Sequence, residues 1–215
     1  MNKVLIGLCV LLGVFAAVQA GGTYGIDVSS AIYVNNFQCI KGDGYVFVVI
    51  RCWQSNGQAD PNCPHTIYNA WDGGMEYVDV YMFPCYSCGN PSGQVKSMID
   101  YLNSYNCKWG MVWFDIEGPQ YWSSSTQNNV NFMQSMLNEG HTLGLNMGIY
   151  TSQSQWQPIM GSWTGGSGYP LWYAHYDDNP SFSDFVPFNG WSSPAIKQYY
   201  GDASMCGCDV DLDWY

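Results

Sequence analysis

Basic residues are scarce in this chain: Lys and Arg together number 6 against 17 Asp and Glu, and the formal net charge is −11. Gripping a phosphate backbone takes a cluster of cations, so this balance argues against a nucleic-acid partner. Long apolar runs are missing too. Past position 20 no stretch approaches the roughly 18 consecutive apolar residues that a membrane span needs, and no membrane partner is expected. The chain has no Asn-x-Ser/Thr acceptor with a permitted middle residue, because Asn90 and Asn179 are each followed by Pro. N-glycosylation is therefore not expected. Internal repeats and linker-like stretches are also absent, which leaves one barrel-sized domain with a substantial core; a monomer is expected, although the sequence itself does not encode oligomeric state.

The chain opens MNKVLIGLCVLLGVFAAVQA, with Lys3 ahead of an apolar stretch from Val4 to Val18 and small residues near Ala20. This is the pattern of a secretory signal peptide over residues 1–20, cleaved after Ala20. The domain at 21–215 is expected to be secreted or to work in a lysosomal or phagosomal lumen. Eight cysteines follow the leader: Cys39, Cys52, Cys63, Cys85, Cys88, Cys107, Cys206 and Cys208. An even set in an exported protein argues for disulfides. Zinc is the rival, since Cys85 and Cys88 form a C-x-x-C and Cys206 and Cys208 a C-x-C. The export signal and the wide gap between the pairs weigh against it.

Short apolar runs alternate with helical patterns. Strands are expected near Tyr24 to Val28, Tyr45 to Arg51, Tyr77 to Phe83, Trp109 to Ile116, Leu145 to Tyr150, Leu171 to Ala174, Ala195 to Tyr199 and Val210 to Trp214. Helices are expected near Ser30 to Cys39, His65 to Gly73, Pro91 to Tyr105, Thr126 to Glu139 and Gln153 to Met160. In the third, Asn90 caps, Pro91 takes the first helical position, and Val95, Met98, Ile99 and Leu102 form one stripe. About eight strand slots with interleaved helices give an α/β fold, an irregular (β/α) barrel of the TIM-barrel kind in a single domain. The irregularity is the Gly/Ser/Trp-rich stretch from Gly161 to Gly168, which replaces a regular helix.

In such a barrel the reacting groups gather at the C-terminal ends of strands. Asp27, Asp115, Glu117 and Asp211 all fall at or near strand ends. Asp115 and Glu117 stand two apart in WFDIEGP, Trp113 to Pro119, and alternation along a strand puts both on one face. Two buried acids are expensive. Glycoside cleavage is a chemistry that needs them, one as proton donor and one to steady positive charge. Barrel polarity also sorts the cysteines, because residues just after a strand lie at the catalytic rim and residues just before one lie at the far end. Cys52, Cys63, Cys85 and Cys88 then form a rim group, Cys39, Cys107, Cys206 and Cys208 the other, with bridges expected within each group.

Further motifs follow in a fixed order: GIDVSS at Gly25 to Ser30, VYMF at Val80 to Phe83, WFDIEGP, GIYT at Gly148 to Thr151, LWYAHY at Leu171 to Tyr176, KQYYG at Lys197 to Gly201 and VDLDWY at Val210 to Tyr215. With these the chain resembles glycoside hydrolase family 25, lysozymes that cleave the β-1,4 bond between N-acetylmuramic acid and N-acetylglucosamine in bacterial peptidoglycan. The resemblance implies Glu117 as general acid, Asp115 as its ionised partner, and Asp27 and Asp211 as further catalytic carboxylates. Asp209 and Asp213 leave a register ambiguity around Asp211. Tyr81, Tyr150, Trp172 and Gln198 match the substrate-binding cleft wall, whereas Met82 replaces the family's usual His. His65, His141 and His175 receive no role.

The resemblance implies no cofactor and no metal, and its partner is the peptidoglycan glycan strand. Substrate assistance by the N-acetyl group is favoured over direct inversion. The acidity of the chain would repel anionic bacterial surfaces at neutral pH and less so at about pH 4 to 5, which points to an acidic working pH in bacterial digestion or defence. A chitinase-like N-acetylglucosaminidase is the alternative enzyme, but its D-x-D-x-E needs an acid where Trp113 stands. An inactive glycan-binding barrel is the alternative outside catalysis.

Overall fold

A computed structural model describes residues 22–215; the expected leader at 1–20 lies outside the described residues. In chain order the strands are β1 (Tyr24–Val28), β2 (Tyr45–Gln54), β3 (Gln58–Ala59), β4 (Tyr77–Met82), β5 (Val112–Asp115), β6 (Met147–Thr151), β7 (Leu171–Ala174), β8 (Ile196–Met205) and β9 (Cys208–Trp214). The helices are α1 (Val34–Gly42), α2 (Cys63–Asp72), α3 (Pro91–Ser104), α4 (Thr126–Thr142) and α5 (Gln153–Met160). The sheet runs β1-β9-β8-β7-β6-β5-β4-β2, and a β1–β2 pairing closes it into a barrel of eight strands. β3 only folds back on β2 as a short hairpin.

The α/β barrel is the architecture the alternating pattern implies, with one difference in direction. From β1 through β8 the neighbouring barrel strands are parallel, whereas β9 is antiparallel to both β8 and β1. The cause is a two-residue turn at Cys206 and Gly207, whose φ angles of 53° and 79° are both left-handed, the conformation that joins tight hairpins. β8 and β9 therefore extend as an arm beyond the barrel, which the sequence pattern ended at Tyr199.

This reversal corrects the sorting of the cysteines. The start of β9 lies at the C-terminal end of β8, so Cys206 and Cys208 do not belong at the far end by strand polarity. Cys206 still bridges to Cys39, because the arm folds over α1, where Asn36 Nδ2 donates to the Cys206 carbonyl at 2.9 Å. Cys52–Cys63 and Cys85–Cys88 form within the rim group, and the second of these displaces zinc as the reading of the C-x-x-C. Among the described residues Cys107 and Cys208 stay unbridged, contrary to the even-set expectation.

Two apolar layers hold the barrel. Outside, the helices pack stripes such as Val95, Met98, Ile99 and Leu102 of α3 onto the strands, each large side chain contributing about 1.5–3 kcal/mol. α3 starts where expected, with the Asn90 side chain accepting from Gly93 N at 3.2 Å and Pro91 at the first position. Inside, Phe47, Val49, Tyr81, Trp113, Tyr150, Trp172 and Ile196 form the plug. Gly148 faces Trp113 across β5 and β6, and a Cβ there would lie 2.3 Å from the indole. Absence of a side chain at this position is what admits the Trp.

Candidate active site

β5 ends at Asp115, yet its backbone stays paired for one more residue, since Ile116 N donates to the Tyr150 carbonyl at 2.9 Å. Side-chain alternation therefore persists to Glu117: Ile116 joins the outer core while Asp115 and Glu117 face the barrel mouth. Gly118 then turns the chain away at φ 64°. Two bonds fix the turn, Gly118 N to Gln155 Oε1 at 2.8 Å and Trp122 Nε1 to the Glu117 carbonyl at 3.0 Å.

A cavity of about 90 Å³ opens at this end, lined by Asp27, Tyr81, Asp115, Glu117, Tyr150, Trp172, Tyr176, Gln198 and Asp211. All eight residues named from the sequence are brought together. A second hollow of about 110 Å³ shares Asp27, Tyr81 and Asp211 and runs out to Asp202 and Asp209. The register of β9 is thereby resolved: Asp209 is exposed at the outer hollow, Asp211 lines the cavity, and Asp213 is fully enclosed beneath it.

Gln198 is a bracket more than a wall. Its Nε2 donates to Asp27 Oδ2 at 2.6 Å and to Asp211 Oδ2 at 3.2 Å, while its Oε1 accepts from Tyr150 OH at 2.6 Å and Tyr176 OH at 2.8 Å. Those four bonds use the whole capacity of an amide. Its amide is thus engaged wholly within the protein while its side chain lines the cavity, as the cleft-wall expectation has it. Asp202 N holds the other Asp211 oxygen at 2.7 Å. Tyr81, Tyr150 and Trp172 serve both readings weighed for them: they line the cavity, and they pack edge-to-face in the interior plug, the Tyr150 and Trp172 centroids 4.6 Å apart.

The carboxyls crowd one another with little positive charge nearby. Burial, followed by the Asp211 charge, raises Glu117 above the ordinary carboxylate range. Burial raises Asp27 well above it, with Asp211 adding to the effect. Asp115 is pushed well above as well, by burial first and then by Glu117 and Asp27, with Arg51 in opposition. The expected ionised Asp115 is thus not what the protein's own groups favour. Its Oδ1 is enclosed and has no hydrogen-bond partner, a costly condition that a bound group could relieve.

One cavity residue, Tyr176, has no role assigned from the sequence, and Asp213 enters the sequence reading only as a register alternative to Asp211. Tyr176 stands in the LWYAHY motif just past β7, where a strand-end tyrosine is a visible signal. Asp213 alternates with Asp211, but nothing in a sequence marks which acid of such a row is enclosed. His175 lies outside the cavity: its Nδ1 bonds to Asp184, which also accepts from Tyr173 OH at 2.5 Å. Lys197 Nζ bridges Asp184 and Asp177 at 2.9 and 2.8 Å, so the acids around His175 already hold a cation of the chain.

The family described as "Lysozyme-like protein 1" matches residues 18–199. The chain is 55% identical over 211 residues to "Probable GH family 25 lysozyme 2" of Dictyostelium discoideum, covering 98% of this chain and 97% of that one. It is 33% identical to "Lysozyme-like protein 5" of Caenorhabditis elegans, covering 93% and 94%. A family GH25 lysozyme structure from Aspergillus fumigatus superposes with a TM-score of 0.74 at 22% identity, over 90% of this chain and 93% of that one, a likeness of fold. The ordered motifs, the closed barrel and the relatives agree, and the chain belongs to the glycoside hydrolase family 25 lysozymes.

Proposed function

We propose that the protein hydrolyses the β-1,4 bond between N-acetylmuramic acid and N-acetylglucosamine in peptidoglycan, with Glu117 as proton donor. The observation that carries this reading is a half-buried glutamic acid, raised above its usual range, beside a buried carboxyl oxygen of Asp115 that lacks a partner. Burial and the Asp211 charge keep Glu117 protonated under mildly acidic conditions, so it can give its proton to the glycosidic oxygen. As the C1–O bond breaks, the carbonyl oxygen of the sugar's own acetamido group attacks C1 and an oxazolinium forms. Asp115 accepts the acetamido N–H. Positive charge developing there favours the ionised carboxyl, which is how an acid raised in the protein alone becomes the stabilising anion. The Glu117 carboxylate then takes a proton from the water that opens the ring, and the β configuration is retained.

Asp27 and Asp211 share the Gln198 amide, whose donated bond opposes the effect of burial on Asp27 and favours its charged form in the cleft, and the aromatic walls present apolar faces to sugar rings. Export into an acidic lumen, and digestion of engulfed or ingested bacteria or defence against them, fit this chemistry. The test is incubation with purified peptidoglycan and with chitin, followed by mass spectrometry of the new reducing ends. Muramic acid at those ends is the expected result; glucosamine released from chitin alone would overturn it. An immediate product of α configuration would overturn the acetamido-assisted route.

A further inference from the structure

Asp213 is the one enclosed acid of the site that the proposed chemistry leaves without a task. It is 0% exposed on β9, directly across from Gln198 of β8 in the antiparallel ladder. Its Oδ1 accepts from Trp172 Nε1 at 2.8 Å, whereas its Oδ2 meets no donor. The groups of variable charge that face it are Asp27 on β1, Asp211 on its own strand and Tyr199 on β8. No Lys or Arg is among them. Lys197, the neighbouring cation on β8, turns its Nζ to Asp177 and Asp184 instead.

Asp27 lies opposite Asp211 in the β1–β9 ladder, so Asp213, two residues on along the same face, is its diagonal neighbour, and the two side chains share a hydrogen bond. Two carboxyls so placed cannot both be bare anions in so enclosed a place. One proton between them gives the enclosed Asp213 Oδ2 a partner. Carried on Asp213 Oδ2 and donated to Asp27, it gives the unpartnered oxygen a bond and leaves Asp27 as the acceptor, a role it already plays toward Gln198. We propose that Asp213 is a neutral positioning residue, a buried acid whose O–H is donated to Asp27 and holds that carboxylate charged and oriented at the floor of the cleft. Burial and the Asp27 charge both push Asp213 well above the ordinary carboxylate range, in accord with this geometry. The pair titrates as a unit, and its first proton is lost with Asp213 still holding the second.

The inference rests on the reading of Asp27 as a working anion, and its test separates the two. Asp213→Asn keeps an acceptor for Trp172 and a donor for Asp27, as a neutral acid does; Asp213→Leu removes both. In the full-length mature protein at pH 7, the infrared spectrum of Asp213→Asn should lack one protonated-carboxyl C=O band that the parent shows. On soluble peptidoglycan fragments Asp213→Asn should retain kcat within about threefold and keep the parent's pH profile, because the charge of the site is unchanged. Asp213→Leu should lose about tenfold or more in kcat. Its acidic limb should move to higher pH, since Asp27 without its donor takes up a proton more readily. An unchanged carboxyl band in Asp213→Asn, or a pH profile displaced in Asp213→Asn as much as in Asp213→Leu, would overturn the proposal. Should Glu117 prove dispensable while the band still disappears, the catalytic reading fails and the protonated Asp213 stands.

Discussion

Replacing Lys197 by Met tests whether the loop behind the cleft is held by one enclosed cation. Lys197 has no solvent exposure, and its Nζ reaches Asp177 Oδ1 at 2.8 Å, Asp184 Oδ1 at 2.9 Å and the Ser181 carbonyl at 3.1 Å. Removing one member of a buried ion pair costs about 3–5 kcal/mol, because the partner is left uncompensated. Here the side chains of Asp177 and Asp184 keep 24% and 18% of their exposure, so water offsets part of the loss and the lower end, about 3 kcal/mol, applies. For a domain of this size that is a fall of about 6–12 °C in Tm.

The pH dependence gives the sharper check. Burial alone would raise Asp184, but bonds from Tyr173, His175 and Lys197 outweigh it and hold the carboxyl below its usual range. A depressed carboxyl stabilises the fold above its unfolded pKa of about 3.9, and that contribution is lost as pH falls through the folded value. The deficit of Lys197→Met in urea denaturation should therefore be complete at pH 7 and shrink below about pH 4. A deficit under about 1 kcal/mol at pH 7, or one that is the same at pH 3, would refute the reasoning.

Asp115→Asn should reduce turnover by about 10²–10³-fold, since the anion that steadies the acetamido charge is gone. Thermal unfolding of the same variant should show no loss of stability, because an acid that burial raises is replaced by a neutral amide; a destabilised variant with normal turnover would count against the assignment. Asp211→Asn should move the alkaline limb of the activity profile to lower pH, as the Asp211 charge helps keep the Glu117 proton in place. A limb that stays put or moves upward would show that Glu117 does not feel that charge.

Local patterning made much of the site legible. Alternation along a strand carried Asp115 and Glu117 to one face, and the C-terminal ends of parallel strands share one rim, which brought Asp27 to the same mouth; Asp211 arrives there for a different reason, because the reversed β9 pairs it directly with Asp27. The helix α3 was equally plain, with its cap, its Pro and its stripe all between Asn90 and Leu102. What escaped depends on partners far away in the chain. The reversal of β9 lies in a Cys-Gly turn that reads as a cysteine motif, and its arm brings Cys206 to Cys39 across 167 residues. Gln198 matched a cleft position, yet its bonds to Asp27 and Asp211 exist only after β8 closes beside β9 and β1. Burial of Asp213 below Asp211 likewise follows from barrel closure, which no spacing of acids encodes.

The most direct measurement compares Glu117→Gln with its parent on purified peptidoglycan, with thermal unfolding as the control for assembly. If Glu117 donates the proton, release of muramic acid reducing ends falls by about 10²–10⁴-fold at unchanged Tm. A folded variant that releases them at the parental rate contradicts the account.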